Sequence, residues 1–223
     1  TLIIPSAKLV PEELQKVGKF PGVIYPVNQK IVFDYLYEQY KNVCKDIQVI
    51  CYEAADKVHR RLRSYEGRKV NIIDLNELQD LGYTIYSAIQ DIDSPIIINF
   101  SDTIVFDNIF EVEKDAFYYS EDFATDIWTF YDIKDGIISN IYDKIDWKNK
   151  EKRKLFVGVF QILNTNYFKK CLKKAFQNND EIINNFYYAI MEYSKMYPFE
   201  DIKTTNWFDI GHPDTYYNSK LEV

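Results

Sequence analysis

Short apolar runs alternate with charged, amphipathic stretches through the first hundred residues, and this alternation limits the fold more than any other feature. Leu2-Ile3-Ile4-Pro5 is apolar throughout, as a strand buried on both faces must be. Ile47–Tyr52, Lys69–Ile73 and Pro95–Phe100 read as further strands. Between them, Lys30–Tyr40 sets Ile31, Tyr35, Leu36 and Tyr40 on one helical face. Glu53–Tyr65 reads as a charged helix and Gly82–Asp91 as another. Residues 6–26 carry Pro11, Gly18, Pro21, Gly22 and Pro26, which predicts a long loop with one helical turn. Strands and helices in this order predict an α/β fold with a mostly parallel central sheet flanked by helices. Ligands of such sheets bind at the carboxyl ends of the strands.

The second half changes rhythm. Phe123–Asp132 and Gly136–Tyr142 alternate around Lys134-Asp135-Gly136, a hairpin signature. Lys154–Ile162, with Gly158 inside it, reads as a strand, and Tyr167–Gln177 and Glu181–Met196 as helices. An antiparallel insertion therefore follows the parallel half. Without repeats or a low-complexity linker, residues 1–223 read as one domain, with a non-native-looking start and stop that suggest the N-terminal part of a longer protein.

Composition removes several functional classes. With 47% hydrophobic and 27% charged residues the chain is globular rather than disordered. A net charge of -7, and a basic cluster at Lys148–Lys154 broken by Asn and Glu, argue against nucleic acid as a partner. Cys44, Cys51 and Cys171 have no metal-type spacing and read as reduced packing residues of a cytoplasmic protein. With only two histidines besides, a zinc site is not expected. No stretch approaches the 18 apolar residues of a membrane span.

Two segments drive toward a single Asp at the edge of ordered structure. Ser94-Pro95-Ile96-Ile97-Ile98-Asn99-Phe100-Ser101 leads to Asp102, and Asn206-Trp207-Phe208 leads to Asp209, followed by Ile210-Gly211-His212-Pro213. A carboxylate past a strand end suits Mg²⁺, which takes one or two carboxylates together with substrate phosphates. For either Asp alone, a cap or turn role is the commoner one. His212 reads equally as a ligand contact and as a turn residue, and Trp207 reads as core.

The ordered set of segments resembles the nucleotidyltransferases that activate sugar phosphates and phospho-alcohols for surface polysaccharides such as capsules. Leu2-Ile3-Ile4-Pro5 matches their opening strand, and Lys19-Phe20-Pro21 with Val23-Ile24-Tyr25-Pro26-Val27-Asn28 their Lys-Pro and apolar-Pro-Val segments. Leu81-Gly82-Tyr83-Thr84 stands for the Leu-Gly-Thr segment, and Asp102 for the metal Asp. Asp143-Lys144-Ile145, Phe156-Val157-Gly158-Val159-Phe160 and Trp207-Phe208-Asp209-Ile210-Gly211-His212-Pro213 complete the series. The resemblance spans nearly the whole chain, in order. It implies a Rossmann-like, GT-A-type fold, and the stretch from Gly211 to Tyr217 is similar to the branch in which a fused phosphotransferase domain follows.

By that resemblance, Asp102 and Asp209 hold Mg²⁺, and Lys19 steadies the triphosphate of CTP or UTP. Ser6, Ala7, Lys8, Gly82, Tyr83 and Thr84 line the nucleotide site, while Lys144, Gly158 and His212 meet the phosphorylated acceptor. The chain departs from the family where Gly-x-Gly-x-Arg should cradle the phosphates. Here Lys8 and Val10 replace the glycines, and Glu12 the Arg. Gly22 stands where Lys usually follows Pro21. Like charges about 4 Å apart cost on the order of 1–4 kcal/mol, so Glu12 opposes a polyanion. A degenerate domain that only binds or supports is therefore the rival reading. A glycosyltransferase is the weaker rival, because Ser101-Asp102-Thr103 is not Asp-x-Asp.

Overall fold

The computed structural model describes residues 1–67, 69–107, 113–147, 151–177 and 183–222, with side chains to residue 217. Residues 148–150 of the basic cluster and 181–182 of an expected helix lie outside the described residues. Strands β1 Leu2–Ser6, β2 Pro26–Val27 and β3 Lys30–Ile31 precede helix α1 Val32–Tyr40. Then come β4 Ile47–Cys51, α2 Ala55–Leu62, β5 Val70–Asp74, α3 Leu81–Ile89, β6 Ile96–Asn99 and β7 Thr103–Val105. The second half runs β8 Ala116–Phe123, β9 Thr129–Lys134, β10 Ile137–Asp143, β11 Lys152–Ile162, α4 Thr165–Ala175 and α5 Asn185–Ser194. It ends with β12 Glu200–Lys203, β13 Trp207–Asp209 and α6 Pro213–Glu222. These elements form two compact units, one of Thr1–Leu78, Ile97–Ile109 and Asn206–Val223, the other of Gln79–Ile96 and Phe110–Thr205.

In the first unit β6, β1, β4 and β5 lie side by side in that order, all parallel. Leu2, Ile3 and Ile4 of β1 and Val49, Ile50 and Cys51 of β4 are fully buried, as the unbroken apolar runs require. Helix α1 starts at Val32, so its buried stripe is Val32, Phe33, Leu36 and Tyr40, and Tyr35 falls at its edge. Asp34 fixes that start by accepting hydrogen bonds from the Ile31 N–H (2.9 Å) and the Tyr65 hydroxyl (2.9 Å). The long loop holds two short helical turns, Glu12–Leu14 and Gly22–Ile24, rather than the one expected.

In the second unit β10, β9, β11 and β8 are antiparallel neighbours, and β12 joins β8 in parallel. Asp135 and Gly136 turn the β9–β10 hairpin with φ of 52° and 78°, the left-handed pair that a two-residue turn demands. The expected strand Phe123–Asp132 is split between two. Phe123 closes β8 opposite Lys152, and β9 opens at Thr129. Aromatic residues carry strand propensity on both sides of that break, so only pairing with β11 locates it. β12 is a strand for the same non-local reason: its polar Glu200–Lys203 gains order by pairing with Ala116–Tyr119. Among the described residues no helix is long and apolar enough to cross a membrane.

Candidate functional site

The first unit brings Asp102 and Asp209 together. β6 ends in a turn in which the Thr103 N–H donates to the Phe100 carbonyl (3.1 Å), and β7 follows at once. β13 pairs antiparallel with β7, setting Asp209 opposite Thr103, and the Ile210 N–H donates to the Asp102 carbonyl (2.8 Å). A methyl carbon placed on Gly211 would stand 2.6 Å from Asp102 Oδ2 and 3.2 Å from Asp209 Oδ1. Both carboxylates therefore flank one point, no farther apart than those two distances laid end to end. The Gly211 N–H donates to Asp209 Oδ1 (2.7 Å) and so orients that carboxylate. Glycine at 211 is what lets the two acids close on each other.

Asn99 holds the turn that carries Asp102. It is fully buried, accepts from the Tyr40 hydroxyl (2.8 Å), and donates from Nδ2 to the carbonyls of Phe100 (2.8 Å) and Thr103 (2.9 Å). Sequence reasoning missed this role. The signal was an amide inside an otherwise apolar strand, since a buried polar group must find partners. On the other side, α6 is seated by buried Tyr216, whose N–H donates to the His212 carbonyl (2.9 Å) and whose hydroxyl donates to the Pro26 carbonyl (3.0 Å). His212 lies at this helix start, with a buried Nδ1 that has no hydrogen-bond partner among the described residues. Trp207, expected in the core, is half-buried.

The loop after β1 belongs to the same unit. Ser6 is buried and its hydroxyl accepts from the Val23 N–H (3.2 Å); Ala7 is buried beside it. Lys8, Glu12, Lys16 and Lys19 are exposed. Two amides of the loop, those of Leu9 and Val10, are already engaged. The Leu9 N–H donates to Glu53 Oε2 (2.7 Å), and the Val10 N–H to the Phe20 carbonyl (3.0 Å). A carboxylate of the protein thus holds an amide of the segment that matches the family's phosphate loop. Nothing in the spacing pointed to Glu53. Gly22 has a packing reason of its own: a Cβ there would stand 2.9 Å from the carbonyl and the hydroxyl oxygens of Ser101. A lysine at 22 would have to displace the backbone next to Asp102.

The remaining expected site residues lie in the second unit. Asp80 caps α3 by accepting from the Tyr83 N–H (2.7 Å), and Asn185 donates to its other oxygen. Gly82 permits close packing of α3 on α5, since a Cβ would stand 2.9 Å from Asn185 Cβ and from the Phe186 nitrogen. Buried Thr84 donates to the Asp80 carbonyl (3.0 Å), and the Tyr83 ring packs near Phe176. Gly158, with φ of 91°, sits where the β11–β8 register shifts, a bulge that a glycine accommodates without strain. Lys144 is exposed just past β10.

No protein-family model and no curated protein sequence matches the chain. Solved structures do match in fold. The CTP:phosphocholine cytidylyltransferase from Streptococcus pneumoniae superimposes with a TM-score of 0.79 at 16% identity, over 100% of this chain and 98% of that one. A UDP-glucose pyrophosphorylase complexed with UDP-glucose gives 0.77 at 12% identity, over 99% and 97%. The inositol-1-phosphate CTP transferase from T. maritima gives 0.69 at 13% identity, over 99% and 94%. The fold is thus the one used by nucleotidyltransferases acting on sugar phosphates and phospho-alcohols, as the order of segments implied.

Proposed function

We propose that this chain is a nucleotidyltransferase that moves a nucleoside monophosphate from a nucleoside triphosphate to a phosphorylated small molecule. An acceptor phosphate oxygen forms a bond to the α-phosphorus, the bond to the β-phosphate oxygen breaks, and pyrophosphate leaves. The observation that carries this reading is the convergence of Asp102 and Asp209 across Gly211. Proteins of the same fold include CTP-using enzymes for phosphocholine and inositol-1-phosphate and a UDP-glucose pyrophosphorylase, so the candidate pairs are CTP or UTP with a phospho-alcohol or a sugar phosphate. The product would serve surface-polysaccharide synthesis.

Two carboxylates are a hard oxygen donor set, and they fit Mg²⁺ rather than a thiophilic metal. When bound there, Mg²⁺ neutralises phosphate charge and orients the reacting groups. The protein's own residues do the rest. Asn99 and the Gly211 amide hold the two acids in place before any ligand arrives, so little reorganisation remains for the reaction. Lys8, Lys16 and Lys19 are exposed ammonium groups that supply positive charge for a triphosphate in place of the missing Arg. His212 keeps the role of a contact to a bound group, its buried Nδ1 having no hydrogen-bond partner among the described residues. Lys144 keeps the role of acceptor-phosphate contact, and Gly82, Tyr83 and Thr84 that of base recognition, by the resemblance alone.

One observation favours the second reading, a domain that binds or supports without turnover: Glu53 holds the Leu9 amide that a phosphate would otherwise take. A pyrophosphate-release screen of four triphosphates against phosphocholine, other phospho-alcohols and sugar phosphates separates the two. Mg²⁺-dependent release that Asp102→Ala and Asp209→Ala each abolish, with circular dichroism unchanged, supports the enzyme. No release with any pair, and no heat of triphosphate binding by calorimetry, leaves only the supporting domain.

A further inference from the structure

Cys51 has no metal-type spacing in the sequence, yet the fold gathers Cys51, His59 and Asp74 at the carboxyl ends of β4 and β5. Cys51 is the last residue of β4 and Asp74 the last of β5, and the two are register partners in the parallel ladder. Register partners in a sheet point to the same face. Val58 and Leu62 turn α2 inward, and His59 beside them reaches the strand ends. Cys51 Sγ lies 3.1 Å from Asp74 Oδ1, and His59 Nε2 lies 2.9 Å and 3.1 Å from the two oxygens of Asp74. One sulfur, one nitrogen and one oxygen ligand atom all fall within 4.8 Å of one another.

The other ring nitrogen carries an independent observation. His59 Nδ1 stands 3.1 Å from Glu66 Oε1. A carboxylate behind the imidazole fixes its tautomer and leaves Nε2 to face the other donors, the arrangement that supports metal-bound histidines. We infer that Cys51, His59 and Asp74 form a zinc site in which Glu66 orients the histidine. The donor set selects the metal: thiolate with imidazole suits Zn²⁺, whereas Mg²⁺ and Ca²⁺ take oxygen. Tetrahedral bonds of about 2.0–2.3 Å require donors about 3.3–3.7 Å apart, so the present hydrogen-bonded contacts need widen by only a few tenths of an ångström. Side-chain torsions supply that, because Asp74 is 56% and His59 40% exposed. Three protein ligands leave a fourth position on the solvent side. In the strand order β1 and β4 separate β5 from β6, so this site is distinct from the Asp102–Asp209 pair at the end of β6.

The test uses the full chain, stripped with chelator and titrated with Zn²⁺ against a chromophoric zinc indicator. One equivalent should bind with submicromolar affinity. The Co²⁺-loaded protein should show a sulfur-to-metal charge-transfer band that Cys51→Ser removes and that Cys44→Ser and Cys171→Ser keep. His59→Ala should abolish tight binding, and Glu66→Gln should weaken it about 10- to 100-fold. Absence of tight Zn²⁺ binding in the parent chain overturns the inference, as does an unchanged charge-transfer band in Cys51→Ser. Should Cys51→Ser not fold, the half-exposed His59→Ala decides: unchanged zinc affinity there rejects the site. Pyrophosphate release plays no part in these readouts, so the outcome is separable from the proposed activity.

Discussion

Replacing Gly211 by Ala separates a metal-binding acid pair from an ordinary turn. The new Cβ would stand 2.6 Å from Asp102 Oδ2 and 3.2 Å from Asp102 Cγ and Asp209 Oδ1. Ordinary contact begins at 3.4 Å, so the nearer oxygen must retreat by about 0.8 Å. A carboxylate can do that by turning about its own torsions, at a cost of about 0.5–1.5 kcal/mol. For a chain of this length that lowers Tm by only about 1–6 °C. Catalysis is less forgiving: a displacement near 1 Å from productive geometry costs on the order of 10²-fold. Gly211→Ala should therefore remain folded, bind Mg²⁺ more weakly, and release pyrophosphate about 100-fold more slowly at a fixed Mg²⁺ concentration. The assay is steady-state release across a Mg²⁺ series, with a thermal melt alongside. Parent-like turnover at every Mg²⁺ concentration, in a variant with the expected small drop in Tm, would refute the assignment of Asp102 and Asp209 as metal ligands.

Two further outcomes are expected. Asn99→Ala removes three hydrogen bonds among buried groups and should cost about 2–4 kcal/mol in urea unfolding, with a loss of turnover in the surviving folded fraction because Asp102 loses its clamp. Retained turnover per folded molecule would show that the clamp serves stability alone. Glu53→Gln keeps an acceptor for the Leu9 N–H while removing a negative charge beside the loop. Triphosphate affinity by calorimetry should rise at least about fivefold, the equivalent of 1 kcal/mol of relieved like-charge repulsion. An unchanged affinity would place the triphosphate away from that loop.

Much of the parallel half was legible because its signals are local. A strand buried on both faces needs a mostly apolar run, and Leu2–Pro5, Ile47–Tyr52 and Pro95–Phe100 are such runs, broken only by Gln48 and Asn99 and each within a residue or two of the observed strand. The Asp135-Gly136 hairpin was legible for the same reason, because the turn demands residues that accept left-handed backbone. The short strands β7, β12 and β13 were not legible. Each has only three or four residues, and β12 is mostly polar, so pairing partners far along the chain create the order that propensity does not.

The candidate sites divide along the same line. From sequence alone came the order of segments, the two acids at strand ends, and the absence at Lys8–Glu12 of the Gly-x-Gly-x-Arg of the family it resembles. Tertiary structure decided that Gly211 lets the acids meet, that Asn99 braces one of them, and that Glu53 occupies a loop amide. It also decided that a cysteine, a histidine and an aspartate spread over 24 residues share one small volume. The physical reason is that parallel strands bring their carboxyl ends level whatever the length of chain between them, and that juxtaposition leaves no trace in local spacing.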